Sequence, residues 1–383
     1  MTSSSVRPKR RPAGNGRAPD ATEKRITLLL QGGGALGSYQ AGAYEALAEQ
    51  DYHPDLIIGV SIGAINASLI VGNRPERRVE RLREFWERVT TPQSGFISSP
   101  LPMHGVTERR LSTLNAILFG QPGFFRPRLP FDFIADNPLS FYDTAHLRQT
   151  LLELVDFDLI NSGANRLAVG AVQVRTGNMI YFDSIGCQIT PEHIMASGAL
   201  PPGFPPVEID GEAYWDGGIV SNTPLEYMMR CEPRHDSLAF QVDLFSAHGQ
   251  MPTSLDGVAE REKDIRYSSR TRYGTDAERD RQDLRCRIGV FLEKLPPALR
   301  EDPIAKRLAH FSCPAKIDVV HLIYRPDEPE GANKDVQFDR STAERRWRHG
   351  REDAVRALDA APWREPHPPE LGMRTFDIAK AIS

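Results

Sequence analysis

The chain has 383 residues, of which 40% are hydrophobic and 8% aromatic, a composition typical of a globular protein with a sizeable core. Its 47 basic and 51 acidic side chains give a net charge of −4, which argues against nucleic acid as the main partner because such proteins usually present a basic face. No apolar stretch reaches the roughly 18 residues of a membrane-spanning helix, and the four widely spaced cysteines form neither a disulfide framework nor a zinc motif.

Residues 1–24 lack the apolar central run of a secretory signal and are rich in Ser, Pro, Arg and Gly. We expect a solvated, disordered basic tail. The alternative is that its basic side chains hold the protein at anionic lipid. The expected location is therefore the cytoplasm, with peripheral contact at a membrane left open. The basic residues of the tail are Arg7, Lys9, Arg10, Arg11, Arg17 and Lys24.

The segment after the tail alternates between strand-like and helix-like patterns, as in a βαβ unit. Continuous apolar runs at 28–30 and 56–58 are typical of strands buried on both faces of a parallel sheet. A glycine-rich segment follows the first run, and Gly59-x-Ser61-x-Gly63 follows the second. Because a helical stretch comes after each, both segments are expected at adjacent strand ends.

Residues 91–137 behave differently, since they hold many Pro, Gly and Phe residues and look helical only at 108–119. A long apolar segment with weak periodicity either folds over the core or forms a lid and acyl channel. Both interpretations stay open.

The remaining elements follow from hydrophobic periodicity and from turn and capping residues. The charge-dense stretch 257–287 predicts one or two mostly solvated helices, and the Pro-rich segment from 362 onward is expected to be loose. The other predicted elements are helices at 75–90, 144–155, 190–198 and 341–361, strands at 167–174, 179–183, 238–245 and 317–324, and a hairpin at 207–215.

Ser61 is the first candidate catalytic residue. A serine hydroxyl becomes a useful nucleophile only when a base lies within hydrogen-bond reach and the side chain is presented without crowding. A sharp strand-to-helix turn presents it in this way, with flanking glycines because larger side chains would collide there. Gly59 and Gly63 flank Ser61 between a predicted strand and a predicted helix. The alternative is a structural serine that caps the helix.

Gly32, Gly33 and Gly34 follow the first buried strand. Consecutive glycines let backbone N–H groups point at an anion, either a nucleotide phosphate or the oxyanion of a tetrahedral intermediate. The spacing to Gly37 matches a dinucleotide fingerprint, but no acidic residue ends a second strand about 20 residues further on, as that fold requires. Ser61 ends the second strand instead, so the oxyanion is favoured over a nucleotide.

Asp216 is the candidate base. It follows a predicted strand and precedes Gly217 and Gly218, which permit a tight turn. An aspartate can act as a base when partial desolvation raises its pKa. The alternatives are an ordinary turn aspartate or a triad completed by a histidine, for which His193, His235, His248 and His321 are candidates.

Together these motifs resemble the patatin-like phospholipase family over residues 25–245, including the Pro-rich segment 196–207. The resemblance implies a three-layer α/β/α sandwich with a mostly parallel central sheet, plus a helical C-terminal extension. It also implies hydrolysis of lipid acyl esters by a Ser61–Asp216 dyad without metal or cofactor. The oxyanion donors are then the N–H groups of Gly33 and Gly34, with Gly32 close by, and the supporting motif residues are Gly37, Gly59, Gly63, Gly217 and Gly218.

The expected organisation is a basic tail at 1–24, an acyl-hydrolase domain at 25–245 with a candidate lid at 91–137, and a mostly helical region at 246–383 packed on that domain. The last region resembles the C-terminal addition of one bacterial subgroup. The expected partner is a lipid or phospholipid, and no oligomeric state is indicated.

Leu36 departs from the family pattern, because many members carry Arg or Lys at this position. A cation there could help to hold a phosphate or the oxyanion. Without that cation, the sequence does not decide between phospholipase A or lysophospholipase activity and the hydrolysis of neutral esters. A protein that binds lipid without catalysis is the alternative from another class.

Overall fold

The computed structural model describes residues 24–91, 106–129, 132, 138–231 and 234–378. The tail expected at 1–24, apart from Lys24, lies outside the described residues, as do 92–105, 130–131 and 133–137 of the candidate lid. The strands are β1 (Arg25–Leu30), β2 (Leu56–Val60), β3 (Arg126–Pro127), β4 (Tyr142–Asp143), β5 (Arg166–Gln173), β6 (Met179–Asp183), β7 (Val207–Ile209), β8 (Glu212–Asp216), β9 (Ser237–Asp243), β10 (Ile317–Ile323) and β11 (Met373–Asp377).

The α-helices are α1 (Ser38–Glu49), α2 (Ile62–Val71), α3 (Arg78–Val89), α4 (Val106–Phe119), α5 (Ala145–Leu154), α6 (Phe157–Asn161), α7 (Pro191–Ser197), α8 (Leu225–Arg230), α9 (Leu255–Glu293), α10 (Pro297–Arg300), α11 (Pro303–Phe311) and α12 (Arg340–Ala360). Short 3-10 turns lie at Gly34–Gly37, Pro75–Arg77, Gly217–Ile219, Lys334–Val336 and Pro362–Arg364. No helix in the described part of the chain is both long and apolar enough to cross a membrane.

One sheet dominates the fold, with the strand order β11-β10-β9-β1-β2-β5-β8-β7 and β6 also paired to β5. The strands from β11 to β5 in that order run parallel to their neighbours, whereas β6, β8 and β7 pair antiparallel. Successive side chains of a strand point to opposite faces, and the central strands bury both. Leu28 and Leu30 of β1 pack with α1, α2, α3 and α12 on one face, and Leu29 packs with α8 on the other. The predicted sandwich with a mostly parallel sheet is confirmed.

The sheet register brings the candidate site together. Leu30 pairs with Gly59, so the ends of β1 and β2 lie side by side. Val60 pairs with Gly170 of β5, and on the far side of β5 Ala171 pairs with Asp216 at the end of β8. Ser61 and Asp216 are therefore separated only by the width of β5, although they lie far apart in the sequence.

The C-terminal region is joined closely to the rest of the molecule. Helix α12 crosses α1 where only glycine fits, since a Cβ at Gly42 would lie 1.8 Å from the Trp347 carbonyl oxygen. A Cβ at Gly350 would lie 1.9 Å from the Tyr39 carbonyl oxygen. The predicted division of the chain after residue 245 stays a prediction, and the structure adds that β10 and β11 extend the central sheet beyond β9.

The structure makes one sequence expectation more specific and contradicts another. The charge-dense stretch forms a single helix of 39 residues, α9. The expectation of a loose segment from 362 onward was wrong, because β11 pairs parallel with β10 in the register Ile317 to Met373. Five residues at a sheet edge give little periodic signal, and the hydrogen bonds that order them come from β10 and from the pairing of Arg374 with Asp318.

Candidate active site

Ser61 occupies a strained turn between β2 and α2, with φ 57° and ψ −125°. Few residues other than glycine adopt a positive φ, so surrounding contacts must hold this backbone. The Ser61 N–H donates to Ser197 Oγ at 2.9 Å, and the fully buried Ser197 hydroxyl donates to the Gly170 carbonyl at 2.7 Å. The flanking glycines permit the close approach, because a Cβ at either Gly59 or Gly63 would lie 2.3 Å from a carbonyl oxygen.

Asp216 lies at the end of β8 and is almost fully buried. Its carboxylate accepts a hydrogen bond from the Gly218 N–H at 2.7 Å and is in hydrogen-bonding contact with the Ser61 side chain. Burial raises the pKa of Asp216 to about 6, although both of these contacts act to lower it. At neutral pH the carboxylate is therefore mostly ionised and more basic than an exposed aspartate.

The glycine loop lies next to Ser61. A Cβ at Gly32 would lie 3.0 Å from Ser61 Cβ, and Gly34 has a φ of +55°. The Gly32 N–H is directed at the Asn222 carbonyl at 3.4 Å. The N–H groups of Gly33 and Gly34 have no hydrogen-bond partner among the residues that the structure describes. They are consequently the loop donors that remain available to an anion.

Asn222 links the glycine loop to the turn that follows Asp216. Its Nδ2 donates to the Gly32 carbonyl at 3.0 Å, and its Oδ1 lies 2.9 Å from the point that a Cβ at Gly218 would occupy. In a planar trans peptide the C=O and the next N–H point in opposite directions. Anchoring the Gly32 carbonyl therefore also orients the Gly33 N–H.

The supporting residues Ser197 and Asn222 were missed as site residues by the sequence reasoning. Ser197 lies within the Pro-rich segment that carried the family resemblance, and Asn222 follows Asp216 by six positions in a short polar loop. Short polar side chains next to the motif turns were the available signal. Their partners, however, are backbone groups that are distant in the sequence.

A cavity of about 290 Å³ opens beside Ser61 and Asp216. One wall is mostly apolar and comes from the candidate lid, β4 and the Pro-rich segment. Phe124 and Phe125 are buried and line the cavity, so the described part of the lid both packs on the core and contacts the cavity. The members of this wall are Ala116, Ile117, Phe124, Phe125, Tyr142, Leu200 and Phe204.

Another wall comes from the C-terminal region and consists of Tyr267, Asp335, Val336 and Phe338. We call these four residues the C-terminal wall. A Cβ at Gly34 would lie 2.3 Å from the Asp335 carbonyl oxygen, so this wall touches the glycine loop itself. The cavity is therefore built from both ends of the chain.

Buried ion pairs hold the segment that carries the C-terminal wall. Lys334 is buried, and its Nζ contacts Asp264 at 2.6 Å and Glu260 at 3.4 Å. Arg346 is fully buried and pairs with the buried Glu330 at 2.9 Å. Burial alone would raise the pKa of Glu330, but the guanidinium groups of Arg346 and Arg345 lower it to about 2.

Among the described residues that line the cavity there is no histidine. His193 instead completes the cap of α7, because its Nδ1 accepts the Thr190 N–H at 3.0 Å. Burial lowers the pKa of His193. His321 lies 3.4 Å from Asp243 on the sheet.

Two family models match the chain. The model described as patatin-like phospholipase matches residues 28–229, a segment that contains Ser61 and Asp216. A second model, described as patatin phospholipase, matches residues 265–370, which include the C-terminal wall.

Similar proteins match over short segments. A patatin-like phospholipase domain-containing protein of Chaetomium globosum is 41% identical over 58 residues, which cover 15% of this chain and 7% of that protein. A putative patatin-like phospholipase domain-containing protein of Caenorhabditis elegans is 38% identical over 65 residues, which cover 17% of this chain and 6% of that protein. The chain thus matches less than a tenth of either relative.

Two solved structures are similar at low identity. VipD from Legionella pneumophila is 15% identical with a TM-score of 0.40, and the match covers 89% of this chain and 67% of that one. The type III effector protein ExoU is 13% identical with a TM-score of 0.33, and the match covers 88% and 53%.

Proposed function

The chain belongs to the patatin-like phospholipase family, and on that premise we propose that it is a serine hydrolase that cleaves the carboxylic ester bonds of lipids. One observation carries the proposal. The Ser61 hydroxyl lies on a strained turn and contacts the buried Asp216 carboxylate at an apolar cavity. Beside it are the Gly33 and Gly34 N–H groups, which have no partner among the described residues. Nucleophile, base and oxyanion donors are the three parts that acyl transfer needs.

In the first half-reaction, Asp216 accepts the Ser61 proton while Ser61 Oγ attacks the ester carbonyl carbon. The Gly33 and Gly34 N–H groups hold the resulting oxyanion. The ester C–O bond then breaks, and Asp216 gives the proton to the departing alcohol. Ser61 is left acylated. A base with a pKa of about 6 is suited to both transfers, because it is ionised near neutral pH and still donates a proton when required.

In the second half-reaction, water attacks the acyl group while Asp216 accepts its proton. The same N–H groups hold the second oxyanion. The bond between Ser61 Oγ and the acyl carbon then breaks, Asp216 returns its proton to Ser61 Oγ, and the fatty acid is released. The apolar wall suits the acyl chain, because aromatic and aliphatic side chains line it. On the strength of the family, we propose phospholipids or lysophospholipids as the first candidate substrates.

Neutral lipid esters form the second candidate substrate class, and Leu36 favours them. Its side chain is fully buried in the core, so no cation from this position faces the glycine loop. A phosphate group would have to be bound by other residues.

The proposal is tested with Ser61→Ala on a panel of phospholipid, lysophospholipid and neutral esters. Hydrolysis of every substrate should be lost while the fold persists. Ser68→Ala is the matched control, because the hydroxyl of this buried serine of α2 donates to the Ile65 carbonyl and Ser68 is not among the described residues that line the cavity. Full activity of the Ser61→Ala variant would end the proposal.

A fluorophosphonate probe separates the enzyme from a lipid-binding protein without catalysis. Covalent labelling of Ser61 supports the enzyme, and an unlabelled protein supports the binding function. A histidine triad is tested by single replacements of His193, His235, His248 and His321. A rate within a few-fold of wild type in all four eliminates it.

A further inference from the structure

Exposed apolar side chains lie at the mouth of the cavity. Ile117 of α4 and Leu200 both line the cavity and are substantially exposed. Leu114 and Leu118 lie within one turn of Ile117 on the same helix and are exposed as well. Large apolar side chains at a single opening are unusual on a protein surface that meets only water.

The segment that enters β4 carries two further exposed apolar side chains, next to the Pro-rich segment that lines the cavity. Residues alternate along it, so that Ser140 is buried and Tyr142 lines the cavity, whereas Leu139 and Phe141 face outward. The Phe141 N–H donates to the Pro202 carbonyl at 3.1 Å, and Pro202 lines the cavity. We call these six exposed residues the apolar rim: Leu114, Ile117, Leu118, Leu139, Phe141 and Leu200.

Two arginines, Arg126 and Arg128, lie on the segment that pairs with the one carrying Phe141 and Tyr142. Arg126 pairs with Asp143 at 2.9 Å, and Arg128 donates to the Ser140 hydroxyl at 3.2 Å. The six rim side chains are all apolar, so the binding energy that they contribute must come from apolar burial.

We propose that the apolar rim inserts into the surface of a lipid layer and places the cavity mouth directly against the acyl chains. A protein partner or a second copy covering this rim would close the opening that the substrate must use. A lipid layer covers the same rim and supplies the substrate. The inference rests on the proposed function, because it assigns the surface from which that site draws its lipid.

Insertion of apolar side chains and attraction of the basic tail predict different salt responses. Apolar insertion needs no anionic lipid and is little affected by salt. Attraction of the residues in 1–24 to anionic lipid is screened by salt. Vesicles of phosphatidylcholine alone, at low and high salt, therefore separate the two.

The test uses the full chain carrying Ser61→Ala, so that vesicle binding is measured without hydrolysis. The rim variant combines Leu118→Ser, Leu139→Ser and Phe141→Ser, none of which lines the cavity. These side chains are 48%, 73% and 56% exposed. The matched control combines Leu299→Ser, Ile304→Ser and Phe311→Ser, which are 53%, 71% and 57% exposed and also lie outside the cavity lining.

We expect the rim variant to bind phosphatidylcholine vesicles about tenfold more weakly, or worse, at both salt concentrations. The control variant should bind as the Ser61→Ala chain does. With Ser61 restored, both variants should hydrolyse a water-soluble short-chain ester at the wild-type rate, which also shows that they are folded. Only the rim variant should lose activity on vesicles.

Several outcomes overturn the inference. The first is that the parent chain does not bind vesicles, and the second is that the rim and control variants bind equally well. The third is that binding needs anionic lipid and disappears at high salt. A parent chain that is dimeric and becomes monomeric through the rim substitutions assigns the rim to a second copy. If vesicle binding follows the expected pattern but the wild-type chain hydrolyses no ester, the proposed function fails and the docking surface stands.

Discussion

Asp216 and Glu330 are two buried carboxylates whose surroundings shift their pKa values in opposite directions. Burial raises the pKa of Asp216 to about 6, because its contacts come from neutral groups, the Gly218 N–H and the Ser61 side chain. Glu330 is also buried, but the guanidinium groups of Arg346 and Arg345 lower its pKa to about 2. Burial without a cation yields a base at neutral pH, whereas burial with a cation yields a fixed structural charge.

The same difference separates the two regions that build the cavity. Ser61 is held by the Ser197 hydroxyl and by closely approaching glycine backbone, whereas the segment of the C-terminal wall is held by ion pairs such as Lys334 with Asp264. Substitutions at Ser61 and Asp216 should therefore lower the rate of hydrolysis, and they should also relieve backbone strain or the unfavourable burial of a charge. Substitutions at the buried pairs should cost stability.

The largest effect is expected for Asp216→Asn, which should lower the rate of ester hydrolysis by about 10³-fold or more because the amide cannot accept the Ser61 proton. The same substitution should stabilise the protein. A folded-state pKa of about 6 lies above the ordinary value of 3.8, so the ionised carboxylate costs stability at every pH above about 6. Removing the charge should raise the free energy of unfolding by up to about 3 kcal/mol there.

Rate assays and urea denaturation test both effects. The control is Asp210→Asn, an exposed turn aspartate with a positive φ that asparagine tolerates. It should change neither quantity. An Asp216→Asn chain that is less stable than wild type at neutral pH would contradict the desolvation of Asp216.

Glu330→Gln should have the opposite effects to Asp216→Asn: it should lower the stability of the protein and leave the rate of ester hydrolysis nearly unchanged. Arg346 would remain fully buried without its carboxylate partner, which costs about 3–5 kcal/mol of unfolding free energy. The control is Glu344→Gln, an exposed residue of the same helix as Arg346. Because Glu330 does not line the cavity, the folded fraction should still hydrolyse a soluble ester within a few-fold of wild type. A loss of rate as large as that of Asp216→Asn would break the comparison.

The parts of the site that the sequence could predict are those carried by local patterns. Ser61 and Asp216 stand next to glycines at strand ends, and the strand runs that position them are short and continuous. The sheet register then brings them together, as the pattern of parallel strands led us to expect for Ser61 and the glycine loop. The role of each residue stays a prediction until the variants are measured.

The remaining parts depend on contacts between distant segments, which no local pattern encodes. Asn222 acts on the Gly32 carbonyl, and Lys334 meets Asp264 across 70 positions. In the sequence Lys334 is one more charge in a charged region, and nothing there distinguishes it from solvated neighbours. The strand β11 was missed for the same reason, since β10 orders it.

Asn222→Ala tests whether the catalytic region also depends on a positioning contact. Loss of the Nδ2 hydrogen bond frees the Gly32 carbonyl and, through the planar peptide, the Gly33 N–H. We expect kcat to fall about tenfold to hundredfold with little change in KM, because an oxyanion donor acts in the transition state. The control is Asn73→Ala, whose amide bonds the Leu69 and Leu154 carbonyls. Equal losses of kcat in the two variants would remove the special role of Asn222.

The smallest expected effect is the response to pH, which depends on both Asp216 and Glu330. Hydrolysis requires ionised Asp216, so kcat/KM for a soluble ester should level off above about 6 and fall about tenfold per pH unit below it. The stability that Glu330 contributes is fully present above its ordinary pKa of 4.5 and is lost progressively as the pH falls from there through about 2. Between about pH 6 and 4.5 the protein should therefore stay folded while its activity falls, and the activity should return fully when the pH is raised. Glu330→Gln should not change the pH at which kcat/KM falls, because that fall comes from the protonation of Asp216. The comparison fails if the loss of activity at low pH coincides with unfolding, or if Glu330→Gln shifts the pH at which activity is lost. Either result would mean that one titration governs both regions and that the two carboxylates are not separate in function.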